Sequence, residues 1–242
     1  MSKALRAALV ILCACSYLYA TVTAGNHVSA GSSDTTNVTT AAISTTSATL
    51  IVGCNVSGSS SPTFTSTSPS EMFTPLTLRS GAVLRAKLFY VYSPTGGGSQ
   101  TFSAVNAAAF PAIVSMAFTK TKTAATPFDA ETGATGTGTS ASLTLTNSQT
   151  TNLDVICVGF DTVTSSIAAT GYTKIEQVDT DGATHYGVTL LYKIGVAASE
   201  SPGLAWTTSS EYAAAMASFK CGDCVAMRRT LGGKIASRQV YR

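Results

Sequence analysis

What most constrains this chain is a rhythm. Runs such as "ATLIVGCNV", "VLRAKLFYVY", "AIVSMAF", "LDVICVGF", "YTKIEQVD" and "YGVTLLYKI" follow one another, separated by clusters of Gly, Ser, Pro and Asn. About twelve such runs recur at intervals of roughly 8–12 residues, the spacing of all-β chains. The run from Val83 to Tyr92 carries the period of two most clearly. Leu84, Ala86, Leu88, Tyr90 and Tyr92 share one face, and Val83, Arg85, Lys87, Phe89 and Val91 share the other. Arg85 and Lys87 predict that the second face meets water near the strand start. "AIVSMAF" and "LDVICVGF" are nearly continuous apolar runs and predict central strands of a packed sheet. "EYAAAMASFK" has the alanine content of a helix. Its alternation of Ala214, Met216 and Ser218 against Ala215, Ala217 and Phe219 instead predicts a closing strand. No internal repeat of fixed period is visible, and no helix of four turns is predicted after residue 24.

Many strands with no intervening helices predict two packed antiparallel sheets. The jelly-roll is the expected version, because it pairs strands of this number across two sheets. The chain has 242 residues and 45% hydrophobic content, enough for one such domain. Only 11% of its residues are charged, and the polar remainder is mostly Thr and Ser. Thr suits a pleated, half-buried surface.

The formal net charge of +3 is concentrated at the ends. Between Gly25 and Lys220 eight basic residues face eleven acidic ones, leaving a body near −3. Such a body lacks the basic surface that tracks phosphates, so no nucleic-acid partner is expected. Residues 1–24 read as a targeting segment. Lys3 and Arg6 precede an apolar run from Ala7 to Tyr19, and Val22-Thr23-Ala24 fits a signal-peptidase site. A lipoprotein signal, with Cys15 of "LCAC" lipidated, and an upstream extension are the alternatives. The run is short for a membrane span. No membrane association is expected once the segment is removed. The domain is then 25–220, followed by a basic tail over 221–242.

Four cysteines lie outside the leader. Cys54 and Cys157 sit inside strand patterns, as buried thiols or, if their strands adjoin, as a disulfide. Cys221 and Cys224 form a CxxC without the helix of a redox motif or a second zinc-ligand pair, and are read as a disulfide candidate.

Several phrases, in this order, carry a family resemblance: "FTPLT", "RAKLFYVYSPT", "QTFSAVNAAAFPAIVSMAF", "PFDAETGATGTGTS" and "AAAMASFK". The chain resembles, over roughly residues 26–220, the β-sandwich domains of phage virion and tail-fibre-like proteins and of bacterial secreted or surface proteins. The resemblance implies a concanavalin-like (lectin-like) jelly-roll. It implies a structural or attachment role in a secreted or virion protein, with surface glycans or other virion or surface proteins as partners; a homo-oligomer is compatible with that role, and the sequence does not set the oligomeric state.

Asp129 and Glu131 stand two apart, which on a regular strand puts both on one face. The Gly, Ala and Thr around them supply no apolar wall to split their pKa values, and "GATGTGTS" is read as a loop before the strand "SLTLT". His27 and His185 are the only histidines, and no GxSxG elbow accompanies them. No catalytic residue is assigned. Tyr172, His185, Tyr186, Trp206 and Tyr212 are the candidates for a glycan surface. Asp179 and Asp181, in "DTDG", are the candidates for a calcium loop or a hairpin turn. No other cofactor is expected. Asn37-Val-Thr39 and Asn55-Val-Ser57 match the glycosylation sequon.

Overall fold

The computed structural model describes residues 22–32, 37–58, 61–105, 110–121, 127–162, 167–179 and 186–222. In chain order the strands are β1 (Thr23–Gly31), β2 (Asn37–Thr39), β3 (Leu50–Ser57), β4 (Thr65–Thr67), β5 (Thr74–Pro75), β6 (Arg79–Ser80), β7 (Arg85–Tyr92), β8 (Thr101–Val105), β9 (Ala112–Thr119), β10 (Phe128–Ser142), β11 (Leu145–Thr146), β12 (Leu153–Phe160), β13 (Ala168–Ala169), β14 (Thr173–Asp179), β15 (Gly187–Ile194), β16 (Ser199–Glu200) and β17 (Gly203–Phe219). No helix occurs among the described residues. Residues 1–21 of the expected leader and most of the basic tail lie outside them; the last residues assigned to the leader are described, with Val22 buried in the core and Thr23 and Ala24 paired in β1 against β9.

Two six-stranded antiparallel sheets form the body, in the orders β1-β9-β3-β7-β5, with β6 also on β7, and β10-β17-β12-β15-β14, with β13 also on β17. They pack face to face over one core. Val52, Cys54, Val56, Leu84, Leu88 and Phe118 of the first sheet region meet Leu153, Val155, Cys157, Leu190 and Phe219 of the second. As the period of two predicts, Leu84, Ala86, Leu88 and Tyr90 enter this core, while Phe89 and Val91 join an outer cluster.

The two-sheet antiparallel sandwich is therefore present. The alternation of successive strands between sheets that defines a jelly-roll is not seen among the described residues. Each sheet is drawn from one contiguous half of the chain, and the halves repeat each other. Strands β1, β3, β5, β7 and β9 take the same sheet positions in the first half as β10, β12, β14, β15 and β17 in the second. Cys54 lies between Leu88 and Val114, and Cys157 between Leu190 and Ala215. Ser93 and Gly195 both adopt positive φ at the end of their strands. Their N–H groups donate to equivalent carbonyls, those of Thr49 and Asn152. The duplication is invisible as a sequence repeat because what recurs is pattern and register rather than residue identity.

Each sheet is also covered on its outer face. The three-stranded sheet β2-β8-β4 brings Val38, Phe64, Phe102 and Ala104 over Ile51, Phe89 and Ile113. The second half uses β11-β16, β13 and the outer end of the β10–β17 ribbon to lay Leu145, Ala169, Leu204 and Trp206 over Ile156, Leu191 and Met216. The central strands β3 and β12 are buried at every residue. That double coverage explains their continuous apolar patterns. It also buries Asn55, whose amide donates to Thr63 O, whereas Asn37 is exposed on β2.

Cys54 and Cys157 form a disulfide with their Cα atoms 5.7 Å apart. Their strands are not neighbours in a sheet. They face each other across the core, so the bond joins the equivalent central strands of the two halves.

Candidate functional site

The segment expected to be a Gly/Thr loop is strand. β10 runs unbroken from Phe128 to Ser142 and pairs with β17 throughout, with register shifts at Phe128/Ala130 and Gly138/Ser140. Its backbone is held by the partner strand, which overrides the weak strand preference of Gly. Asp129 sits in the first bulge. Its carboxylate accepts from Ser148 N (2.7 Å), Ser148 Oγ (2.6 Å) and Asn152 Nδ2 (2.7 Å), with Lys220 Nζ at 3.5 Å. Burial pushes the Asp129 carboxyl up. The Ser148 hydroxyl and N–H, the Lys220 charge and the Asn152 amide outweigh it and hold the group below its ordinary value. Glu131 turns to other partners, accepting from the N–H and hydroxyl of Thr77, with Arg79 at 3.8 Å. The two acids thus serve separate networks. Asp129 ties down the turn before β12, and Glu131 ties the first half to the edge of the second.

The duplication exposes a second cluster. On the outer face of the first sheet Ile51 lies between Val91 and Ala117. At the equivalent place in the second sheet Asp154 lies between Lys193 and Ser218. Asp154 is fully buried. Its Oδ2 accepts from Asn147 Nδ2 (3.2 Å) and the Tyr172 hydroxyl (3.4 Å). Burial raises its carboxyl to about 6, opposed by hydrogen bonds from Ser218 and Asn147 and reinforced by the charge of Glu200. The same burial, with the charges of Asp154 and Glu200, drives the Tyr172 phenol upward. Glu200, also buried, is paired with Lys193 at 2.8 and 2.9 Å. Since the first half fills these positions with Ile, Val and Ala, the fold does not need a charge there. Burying one costs stability unless it is paired.

Beside Asp154 is a run of side-chain oxygens that are buried yet have no hydrogen-bond partner: Asn147 Oδ1, Gln149 Oε1, Thr151 Oγ1, Asn152 Oδ1 and Asp154 Oδ1. Each such orphan costs about 1–3 kcal/mol. The corresponding first-half loop has no such debt. Thr45 Oγ1 donates to Gln100, and Thr49 Oγ1 bonds with Thr121.

The aromatic candidates for a glycan surface do not share one exposed platform. Trp206 is buried, donates Nε1–H to Gly138 O at 2.8 Å and packs edge-on against half-buried Tyr212. Tyr186 is in the central core and donates to Val83 O. Tyr172 is half-buried beside Asp154, with Lys193 Nζ 5.6 Å from its ring centre. His185, Asp181 and Cys224 lie outside the described residues, and of Asp179 only the backbone, at the end of β14, is described. Cys221 is buried and disulfide-bonded.

Sequence reasoning missed a cleft of about 300 Å³ between the halves, lined by Ser80, Gly81, Ala82, Thr135, Gly136, Thr137 and Glu211. Glu211 Oε1 accepts from Val83 N (2.9 Å) and Leu84 N (3.3 Å). Asp161 Oδ1 fixes its base by accepting from Glu211 N (2.9 Å) and Ser210 Oγ (2.7 Å). Glu211 and Val83 are 128 residues apart, and no local sequence signal announces their meeting.

The chain matches no protein-family model, no curated protein and no solved structure.

Proposed function

We propose that this protein is a non-enzymatic structural or attachment module, exported or carried on a virion. The observation that carries the reading is the use made of the acids. Asp129, Glu131, Asp161 and Glu211 each accept N–H groups of the fold itself. A catalytic pair flanks one substrate bond, with the two carboxyls set about 5–10 Å apart across it. Asp129 and Glu131 instead clamp different segments.

Other features support the same reading. A core cross-linked by Cys54–Cys157 suits an oxidising, extracellular setting. Four layers of strand under a sparsely charged, hydroxyl-rich surface suit a robust exterior protein. The resemblance to phage and bacterial surface sandwiches points the same way. Sedimentation velocity of the mature chain, from residue 25, tests the structural role. A discrete homo-oligomer is expected. Hydrolysis of a polysaccharide that is abolished by Asp129→Asn with Glu131→Gln would overturn the reading.

The inter-half cleft favours a second reading, as a carbohydrate-binding, lectin-like domain. The hydroxyls of Ser80, Thr135 and Thr137 beside the Glu211 carboxylate are the donor and acceptor types that sugar hydroxyls use. If this reading holds, Glu211→Gln weakens binding of whatever sugar the protein retains.

A further inference from the structure

We propose that the turn from Asn147 to Asp154, leading into β12, is a calcium site. Its ligands are Asn147 Oδ1, Gln149 Oε1, Thr151 Oγ1, Asn152 Oδ1 and Asp154 Oδ1. These are the five side-chain oxygens of this eight-residue segment that are buried without a protein hydrogen-bond partner. The inference stands apart from the attachment reading and needs neither glycan nor partner.

The two asparagine amides are fixed in orientation by their nitrogens. Asn147 Nδ2 donates to Asp154 Oδ2 (3.2 Å) and to Ala197 O (3.0 Å). Asn152 Nδ2 donates to Asp129 Oδ2 (2.7 Å) and Ser218 Oγ (3.0 Å). Both nitrogens are engaged by acceptors, so neither amide can be turned over to satisfy its oxygen. Each carbonyl oxygen is left as the unengaged atom of a side chain that is at least nine-tenths buried. Asp154 Oδ2 is likewise taken by Asn147 and Tyr172, while Oδ1 has no hydrogen bond of good geometry, the Ser218 hydroxyl acting on the carboxylate from the neighbouring strand.

One carboxylate, three amide oxygens and a hydroxyl are hard oxygen donors, with no nitrogen or sulfur among them. Calcium takes 6–8 such oxygens in flexible geometry, whereas magnesium demands a near-ideal octahedron and keeps its waters. Residues 147, 149 and 151 alternate along the turn, as the ligands of calcium loops commonly do. The engaged amide nitrogens do for these ligands what outer-shell hydrogen bonds do at other metal sites: they fix the orientation of the coordinating atom.

The equivalent turn of the first half, Thr45 to Ile51, has the same place in the fold. It ends in an apolar residue, and its Thr45 and Thr49 hydroxyls are hydrogen-bonded. The oxygen-lined turn is a property of the second half alone.

With a single carboxylate, affinity should fall in the weak range of extracellular modules, a dissociation constant on the order of 10⁻⁴–10⁻³ M. The test is equilibrium dialysis of the chelator-treated mature protein against ⁴⁵Ca²⁺, with thermal and urea unfolding in parallel. One ion per chain is expected. At 10 mM Ca²⁺ the unfolding equilibrium constant should fall by about 10- to 100-fold, as binding to the native state alone requires. Thr151→Val is nearly isosteric and removes an oxygen that holds nothing else in the fold. It should weaken binding while leaving the calcium-free protein as stable as before. Asp154→Asn should abolish binding. Asp179→Asn with Asp181→Asn should leave it intact. No calcium uptake at 10 mM, uptake that survives Asp154→Asn with Thr151→Val, or selection of Mg²⁺, Na⁺ or K⁺ over Ca²⁺ would each overturn the assignment.

Discussion

Removing the Cys54–Cys157 bond should cost more than any other double substitution of comparable size. The cross-link joins residues 103 apart and closes most of one half against the other. In the chain-entropy account, a loop of that length restricts the unfolded ensemble by about 4.7 kcal/mol at 25 °C. Both sulfurs are fully buried, and truncation to Ala leaves little volume to collapse, so the loop term dominates. The assay is urea unfolding of Cys54→Ala/Cys157→Ala against the parent in non-reducing buffer, followed by fluorescence of the single, buried Trp206. With a slope of about 2.5 kcal/mol per molar, the midpoint should fall by roughly 2 M. Reductant should shift the parent toward the variant and move the variant far less, since the variant keeps only the disulfide at Cys221. A loss below about 1 kcal/mol, or a variant still sensitive to reductant in the same way, would refute the claim that this bond staples the halves.

Other consequences follow from single contacts. A Cβ added at Gly53 would lie 2.3 Å from the Phe64 ring, so Gly53→Ala should cost about 1–3 kcal/mol by pushing the β2-β8-β4 cover off the sheet, seen as a lower thermal midpoint. Glu211→Ala orphans the N–H groups of Val83 and Leu84 and should cost about 1–2 kcal/mol, with faster amide exchange in the 81–84 turn. The Asp129 carboxyl titrates below its ordinary value. Its stabilisation is therefore present above the unfolded value, about 3.9, and is lost as pH falls through the folded one. Asp129→Asn should be less stable than the parent at pH 7 and converge with it in acid, measured in chelator.

Much of the fold is legible in the sequence because strands announce themselves by period. Between Leu84 and Val91 the alternation sends Leu84, Ala86, Leu88 and Tyr90 to the central core and Phe89 and Val91 to the outer face, while Val83 and Tyr92 at the ends are exposed. What is not legible is what pairing decides. The "TGATGTGTS" segment lacks the bulk of a strand, and only β17 beside it makes it one. The duplication is hidden because a sheet position asks for an apolar residue rather than a particular one. Leu88 and Leu190 happen to agree at equivalent places, while Ile51 and Asp154 do not. The disulfide could not be read from strand adjacency, since its strands meet across the core. The candidate site shows the same limit. Asp129 and Glu131 stand out by spacing, yet a bulge sends them to separate networks. Asp154 reads as one polar letter in an apolar run, and it is conspicuous only once Ile51 is seen in its place in the other half.

The carboxylates of Asp129, Glu131, Asp161 and Glu211 hold the sheets and turns of the protein itself rather than facing a sugar. A glycan array probed with the mature chain in the presence of calcium tests it most directly. The account predicts no glycan retained above background. Concentration-dependent retention of one glycan class, abolished by Glu211→Gln, would contradict it and would make the cleft between the halves a binding site.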